Sequence, residues 1–349
     1  MYNTFVKNLC LLIVALVVSA FIVEVAARSA GFTTREVRIN PFFIPDSEYT
    51  WSVPDPELGW INKEGVSRSI EEGNVPMTFW DFGRRATRAS SYLSPKGWPI
   101  MVIGGSNAQS YGVRDEESFV YILSKRYPQI WFENFGNGGY GTVQSLILAK
   151  RAYRDFYTNE KPKLIILAFD DSHALRNVSD QSWVYSISDE EGRYVAPPHY
   201  RVRDGSLAFY PFRTIGFWPL EKHSALITLL HNVWLQSFTY NTAGDAIEVT
   251  HNVIERLHDY ALESGSQLAV VVLEDRTQIS DGFFADKQFP YQNCSGFERS
   301  DPEAYLLGGT SHPNARLHAY LADCIGTWLE SDVFPLLDLP NAHEPGQEQ

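Results

Sequence analysis

Ser106 stands in Ile103-Gly-Gly-Ser106, directly after the apolar run Ile100-Met-Val-Ile103, which reads as a buried strand entering a tight turn. A serine hydroxyl is a weak nucleophile until a base takes its proton, so a serine used this way needs a histidine brought beside it. Ser311-His312-Pro313-Asn314, opening the last helix of the chain, offers such a histidine. The oxyanion of an acyl-transfer reaction also needs preorganised donors. Main-chain N–H groups can approach closely in a glycine-rich loop such as Asn134-Phe-Gly-Asn-Gly-Gly-Tyr-Gly141. A further loop, Asp170-Asp-Ser-His173, adds titratable groups after a third apolar run. Each segment also has a plainer reading, as a turn, a phosphate cradle or a helix start. No GxGxxG or GxxxxGK[ST] occurs there, which lowers the nucleotide reading, and the absence of G-x-S-x-G argues against an ordinary α/β-hydrolase.

The elements that must position these loops follow from periodicity. Short apolar strands are expected near 100–103, 130–132, 164–169 and 268–273. Helices are expected over 116–127, from a cap at Thr142 to 157, over 245–264, and from Pro313, as a first-turn proline, to 329. This alternation predicts a parallel, three-layer α/β sheet, whose functional loops leave the carboxyl ends of the strands. Residues 33–98 show no sustained period and read as an irregular lead-in, 99–335 as the main domain and 336–349 as a tail. An insertion, 178–244, is rich in aromatic residues and is a candidate cap; its rings could stack on sugars or pack the cap's underside.

Composition narrows the partners. The 349 residues carry 29 basic and 42 acidic side chains, a net charge of 29 − 42 = −13, so no basic field recruits nucleic acid. Lys7 precedes an apolar run, Leu9 to Val23, broken only by Ser19 and continued after Glu24 by Val25, Ala26 and Ala27. A cleaved signal peptide and a retained anchor both fit; apolar residues running through the Val18-Ser19-Ala20 cleavage candidate favour the anchor. Cys10 lies in that run, which leaves Cys294 and Cys324 as the pair available for a disulfide, or as two buried thiols. No cysteine or histidine cluster has zinc spacing, so neither metal nor cofactor is expected.

Taken in order, the segments resemble the motif blocks of SGNH (GDSL-like) hydrolases, in the membrane-anchored branch. Ile103-Gly-Gly-Ser106 with Tyr111-Gly-Val-Arg-Asp-Glu-Glu-Ser-Phe119 resembles the first block, and Asn134 to Thr142 the second. Phe169 to Asn177 stands where the third belongs, His312-Pro-Asn314 is similar to the last, and Asp55-Pro-Glu-Leu-Gly-Trp60 to a stretch preceding the catalytic domain of anchored members. The resemblance spans about 99–330 and implies a flavodoxin-like SGNH fold. It makes Ser106 the nucleophile and first oxyanion donor through its N–H, Gly139 the second donor, His173 the third, and His312 the general base. Three positions depart from the pattern. Gly105 replaces the Asp of Gly-Asp-Ser, His173 takes the slot of the usual Asn, and Gly309 takes that of the Asp three residues before the catalytic histidine. A Ser-His dyad is therefore expected, with His312 oriented by another group. The implied activity is ester hydrolysis or acyl transfer on acylated cell-envelope carbohydrate, outside the cytoplasm and at the cell membrane. Lipid or small-ester hydrolysis, and a catalytically impaired binding or assembly protein for envelope polysaccharide, are the alternatives. His199, His223, His231, His251, His258, His318 and His343 lack comparable context and read as surface or helix-face residues.

Overall fold

The computed structural model describes residues 2–37, 49–69, 73–91, 97–189, 191–239, 241–275, 282–284, 287–297, 302–308, 312–337 and 339. The helices are α1 (Tyr2–Ser29), α2 (Ser106–Gln109), α3 (Phe119–Arg126), α4 (Thr142–Asp155), α5 (Ser172–Asn177), α6 (Gln181–Ser186), α7 (Ala225–Thr239), α8 (Ala243–Glu263), α9 (Pro302–Tyr305) and α10 (Ala315–Trp328). Two antiparallel hairpins come before the main sheet: β1 (Ser52–Asp55) with β2 (Gly59–Asn62), and β3 (Gly65–Arg68) with β4 (Pro76–Phe79). Residues 33–98, expected to be irregular, therefore hold regular structure. Four-residue strands are too short to establish a visible period in the sequence.

The central sheet is formed by β5 (Pro99–Gly104), β6 (Trp131–Asn134), β7 (Leu164–Asp170), β12 (Gln267–Glu274) and β13 (Tyr291–Asn293). Its order is β13-β12-β7-β5-β6, and every neighbouring pair is parallel. Between β7 and β12 the chain adds β8 (Tyr194–Ala196) paired with β11 (Arg213–Ile215), and the hairpin of β9 (His199–Arg203) with β10 (Ser206–Tyr210). Strand β13 has no apolar signature, because it is an edge strand of Tyr-Gln-Asn with polar side chains outward.

Alternation along the buried strands builds two cores. Ile100, Val102, Ile166 and Val271 face α3 and α10. Met101, Ile103, Leu167, Val270 and Val272 face α4 and α8. Both faces of the sheet are covered, which is why the strands read as unbroken apolar runs.

Two helix starts differ from expectation. Helix α10 begins at Ala315, with Asn314 as its cap accepting from the Leu317 N–H at 3.0 Å, while Pro313 bridges to Leu306 ahead of it. Asparagine is a strong N-cap, so it displaces the start past the proline. Helix α4 begins at Thr142 itself, capped by Gly141, because the threonine hydroxyl is committed to His173.

Cys294, just after β13, is bonded to Cys324 in α10, with their Cα atoms 6.0 Å apart. The bond closes a 30-residue separation that includes His312. Replacing both cysteines by alanine is expected to lower unfolding stability by about 3 kcal/mol. Denaturant titration of the oxidised protein against the double variant measures this, and equal midpoints would refute it.

Candidate active site

Strand β5 ends at Gly104, whose φ is +155° and whose Cβ, were there one, would lie 2.4 Å from the Ala168 carbonyl oxygen. Only glycine lets β5 and β7 converge so closely at their carboxyl ends. The chain then turns at Gly105, and Ser106 is the first residue of α2. Ser106 and Asn107 open onto a cleft of about 260 Å³ whose other walls are Asp170, Asp171, Ser172, Arg176, Glu274 and His312. These residues come from the ends of β7 and β12, from α5 and from the segment leading into α10. The cleft thus lies at the carboxyl ends of the strands, where an α/β sheet concentrates its functional loops. It unites Ser106 and His312 across 206 residues of sequence (312 − 106).

His312 is held by its surroundings on several sides. Its ring packs against Tyr111 with centroids 5.0 Å apart, and its main-chain carbonyl accepts from the Leu307 N–H at 2.9 Å. Burial pushes its pKa down to about 4, the charge of Arg176 adds to that, and Asp170 opposes it. At neutral pH the imidazole is uncharged, the form able to accept a serine proton. Gly309, where the resemblance places an acid, lies outside the described residues. The carboxylate whose charge acts on His312 is that of Asp170.

Asp170 is buried, which alone would raise its pKa. Charge on His173 when its ring is protonated, the Arg176 charge and hydrogen bonds from Ser172 outweigh burial and hold the carboxyl below the usual range. Ser172 Oγ donates to one carboxylate oxygen, and Asn107 Nδ2 donates to the other at 3.4 Å. The acid is therefore an ionised, hydrogen-bonded group in the wall of the cleft, in electrostatic reach of the histidine.

His173 lies in the wall behind the cleft, its Nε2 3.6 Å from Asp170 Oδ2 and 3.2 Å from where a Cβ at Gly105 would sit. It is 0% exposed and is not among the cleft's lining residues. Its ring packs edge-on against Phe169, and Nδ1 pairs with Thr142 Oγ1 at 3.1 Å. Burial lowers its pKa to about 4, so it is neutral at pH 7. Helical spacing explains the placement. Residues 172 and 176 are one turn apart and share the cleft-facing side of α5, whereas His173 and Asn177 share the buried side. Besides Asp170 and Asp171, the side chains presented to the cleft from α5 are Ser172 and Arg176, and the i, i+4 offset was the signal for them.

Gly139 also lies away from the cleft lining. Its φ is +78°, and a Cβ there would be 3.0 Å from Trp60 and 3.2 Å from Trp183, so the slot between two indoles requires glycine. Gly105 has its own explanation. A Cβ at that position would meet Arg176 Nη1 at 3.0 Å, the Tyr140 carbonyl oxygen at 3.1 Å and His173 Nε2 at 3.2 Å. Here the glycine leaves room for a guanidinium beside the turn that carries Ser106. Arg176 is fixed there by donating to the Tyr140 carbonyl at 3.0 Å and by lying 4.9 Å from the centre of the Trp183 ring.

The hairpin β1–β2 supports the turns from behind. Asn62 Nδ2 donates to the Gly83 and Gly136 carbonyls at 2.8 and 2.9 Å, and its Oδ1 accepts from Gln109 Nε2 at 2.6 Å. Trp60 Nε1 donates to the Gly138 carbonyl at 2.8 Å. Asn62→Ala leaves three buried partners unsatisfied and is expected to cost roughly 3 kcal/mol of stability or more, at about 1–3 kcal/mol for each buried group. A loss below about 1 kcal/mol in thermal or denaturant unfolding would contradict the hub role.

Among the described residues of insertion 178–244, none lines this cleft. Trp183 of the insertion reaches it through its contact with Arg176.

No family model matches this chain, and no curated protein matches it. Solved structures similar to it include a psychrotrophic esterase from Pseudoalteromonas sp., at 13% identity and a TM-score of 0.36, covering 66% of this chain and 98% of the other. A member of the lipolytic protein G-D-S-L family from Veillonella parvula is 15% identical, with a TM-score of 0.30 over 68% of this chain and 98% of its own. A catalytic mutant of an acetylxylan esterase from Geobacillus stearothermophilus is 9% identical, with a TM-score of 0.37 over 72% and 99%. The structures that this chain is similar to thus include esterases and a protein of the G-D-S-L lipolytic family.

Proposed function

We propose that the protein is a serine esterase or O-acyltransferase of the SGNH type, anchored by α1, that acts outside the cytoplasm on acylated cell-envelope carbohydrate. The observation that carries this reading is the meeting of Ser106 and His312 in one cleft at the carboxyl ends of the sheet. Ser106 Oγ attacks the acyl carbonyl while the neutral His312 takes its proton. The tetrahedral oxyanion is met by the Ser106 N–H and by the Arg176 guanidinium. Collapse breaks the ester C–O bond, His312 returns the proton to the departing alcohol, and an acyl-serine remains. Water then gives hydrolysis, and a sugar hydroxyl gives transfer. The substrate class and the anchored placement rest on the family resemblance. An oxidising compartment is further supported by the Cys294–Cys324 bond, and anchoring by α1, whose Thr4–Ser29 stretch is long and apolar enough to cross a membrane.

A fluorophosphonate probe is expected to label the wild-type chain at Ser106, located by peptide mass spectrometry, and to leave Ser106→Ala unlabelled. Acetyl-ester turnover should vanish with the label. A wild-type protein that shows neither labelling nor turnover would favour a binding or assembly protein instead.

A further inference from the structure

Helix α7, Ala225–Thr239, contains no Asp, Glu, Lys or Arg in its 15 residues. Its inward side, including Ala225, His231 and Leu235, is buried, and His231 stacks on Trp218 and pairs with Glu221 at 2.8 Å. Its outward side is largely apolar up to Trp234, with the exposed polar Gln236 and Ser237 following near its end. Leu230, Val233 and Trp234 are 46%, 57% and 45% exposed, and Leu220 just before the helix is 67% exposed. The offsets of three and four place Leu230, Val233 and Trp234 on one stripe. A stripe of this kind facing water is unfavourable, and a water-facing helix ordinarily carries charge there.

The start of α7 is tied to the end of α1. The Glu24 carboxylate accepts from the Ala225 and Leu226 N–H groups at 3.0 and 2.9 Å and from Ser224 Oγ at 2.7 Å. Arg28 Nη2 donates to the His223 carbonyl at 2.9 Å, and Ala27 is buried at the junction. Upstream of Glu24, the described side chains of α1 from Thr4 to Val23 are all exposed. Those 20 residues, at about 1.5 Å each, match the ~30 Å hydrocarbon thickness of a bilayer. Glu24, Arg28, Lys222 and His223 then mark the level at which the chain leaves the membrane, and α7 starts at that level. Tryptophan is favoured at such a boundary, because its ring is apolar and its N–H is not.

We infer that α7 is a second membrane contact, lying in the interfacial layer of the bilayer crossed by α1 with Leu230, Val233 and Trp234 inserted. The insertion 178–244 is then a membrane-docking element. This inference rests on α1 being a retained span.

The test uses the full chain in phosphatidylcholine–phosphatidylglycerol vesicles, with one bimane label per sample. One sample is labelled at Cys10, the free cysteine of α1, and the other at Val233→Cys in a Cys10→Ser background. The label at 233 is expected to be quenched several-fold more strongly by doxyl-labelled lipid than by aqueous iodide. Iodide quenching at 233, with lipid quenching retained at Cys10, would overturn the role of α7 and leave the anchor standing. Iodide quenching at both positions would overturn the anchor reading and this inference with it.

Discussion

On the proposed mechanism, substituting His312 by alanine is expected to lower kcat/KM by on the order of 10⁴-fold or more, because Ser106 would lose the base on which its nucleophilicity depends. The pH dependence of the wild-type enzyme gives an independent check. His312 acts as a base only when uncharged, and its pKa lies at about 4, below the ordinary imidazole value, chiefly through burial. The deprotonated fraction therefore stays near one from neutral pH down to about pH 5 and falls as pH drops through about 4. In kcat/KM, which reports the free enzyme, the acid limb should centre near pH 4. A limb near the unperturbed histidine value would show that the ring is solvated, or that another group is the base. The expected activity below pH 6 has a counterpart in driving force, since a less basic imidazole is a weaker proton acceptor. Such a site depends more heavily on oxyanion stabilisation than on the base.

Much of this architecture was legible in the sequence, for identifiable reasons. The strands at 99–104, 164–170 and 267–274 are buried on both faces and so appear as continuous apolar runs. Ser106 and His312 could be paired because each follows or precedes a recognisable element and the block order resembles a known family. The parts that were not legible depend on contacts between distant segments. Asn62 looks like an ordinary turn residue, yet its side chain joins loops that lie 21, 47 and 74 residues away. Gly105 looks like a lost aspartate until Arg176 is found against it. His173 was matched to a motif slot, whereas the helical offset within Ser172-His-Ala-Leu-Arg176 decides which side chains face the cleft.

Arg176→Met is expected to reduce kcat by about 10²–10³, the loss that accompanies removal of one oxyanion donor. The guanidinium lines the same cleft as Ser106, in the space that a side chain at 105 would take. It is held there by the Tyr140 carbonyl and by Trp183, so little reorganisation is needed when negative charge develops on the substrate. The same substitution should also move the acid limb of kcat/KM. Arg176 contributes to the low pKa of His312, so removing its charge allows that pKa to rise, and the limb shifts to higher pH. The limb shift follows from the charge alone, whereas the loss in kcat reports donation to the oxyanion. Arg176→Lys separates the two effects. It keeps the positive charge and should hold the limb near its wild-type position, yet it lacks the planar fork and should leave kcat well below wild type. Gly105→Ala offers a complementary perturbation, because the added methyl lies 3.0 Å from Nη1 and must displace the guanidinium or the turn. Its kcat should fall in the same direction as that of Arg176→Met, and the double variant should lose less than the product of the two single losses, since both act through one group. Full multiplicativity of the two losses, or an unchanged kcat in Arg176→Met, would remove Arg176 from the reaction and return the oxyanion to main-chain donors alone.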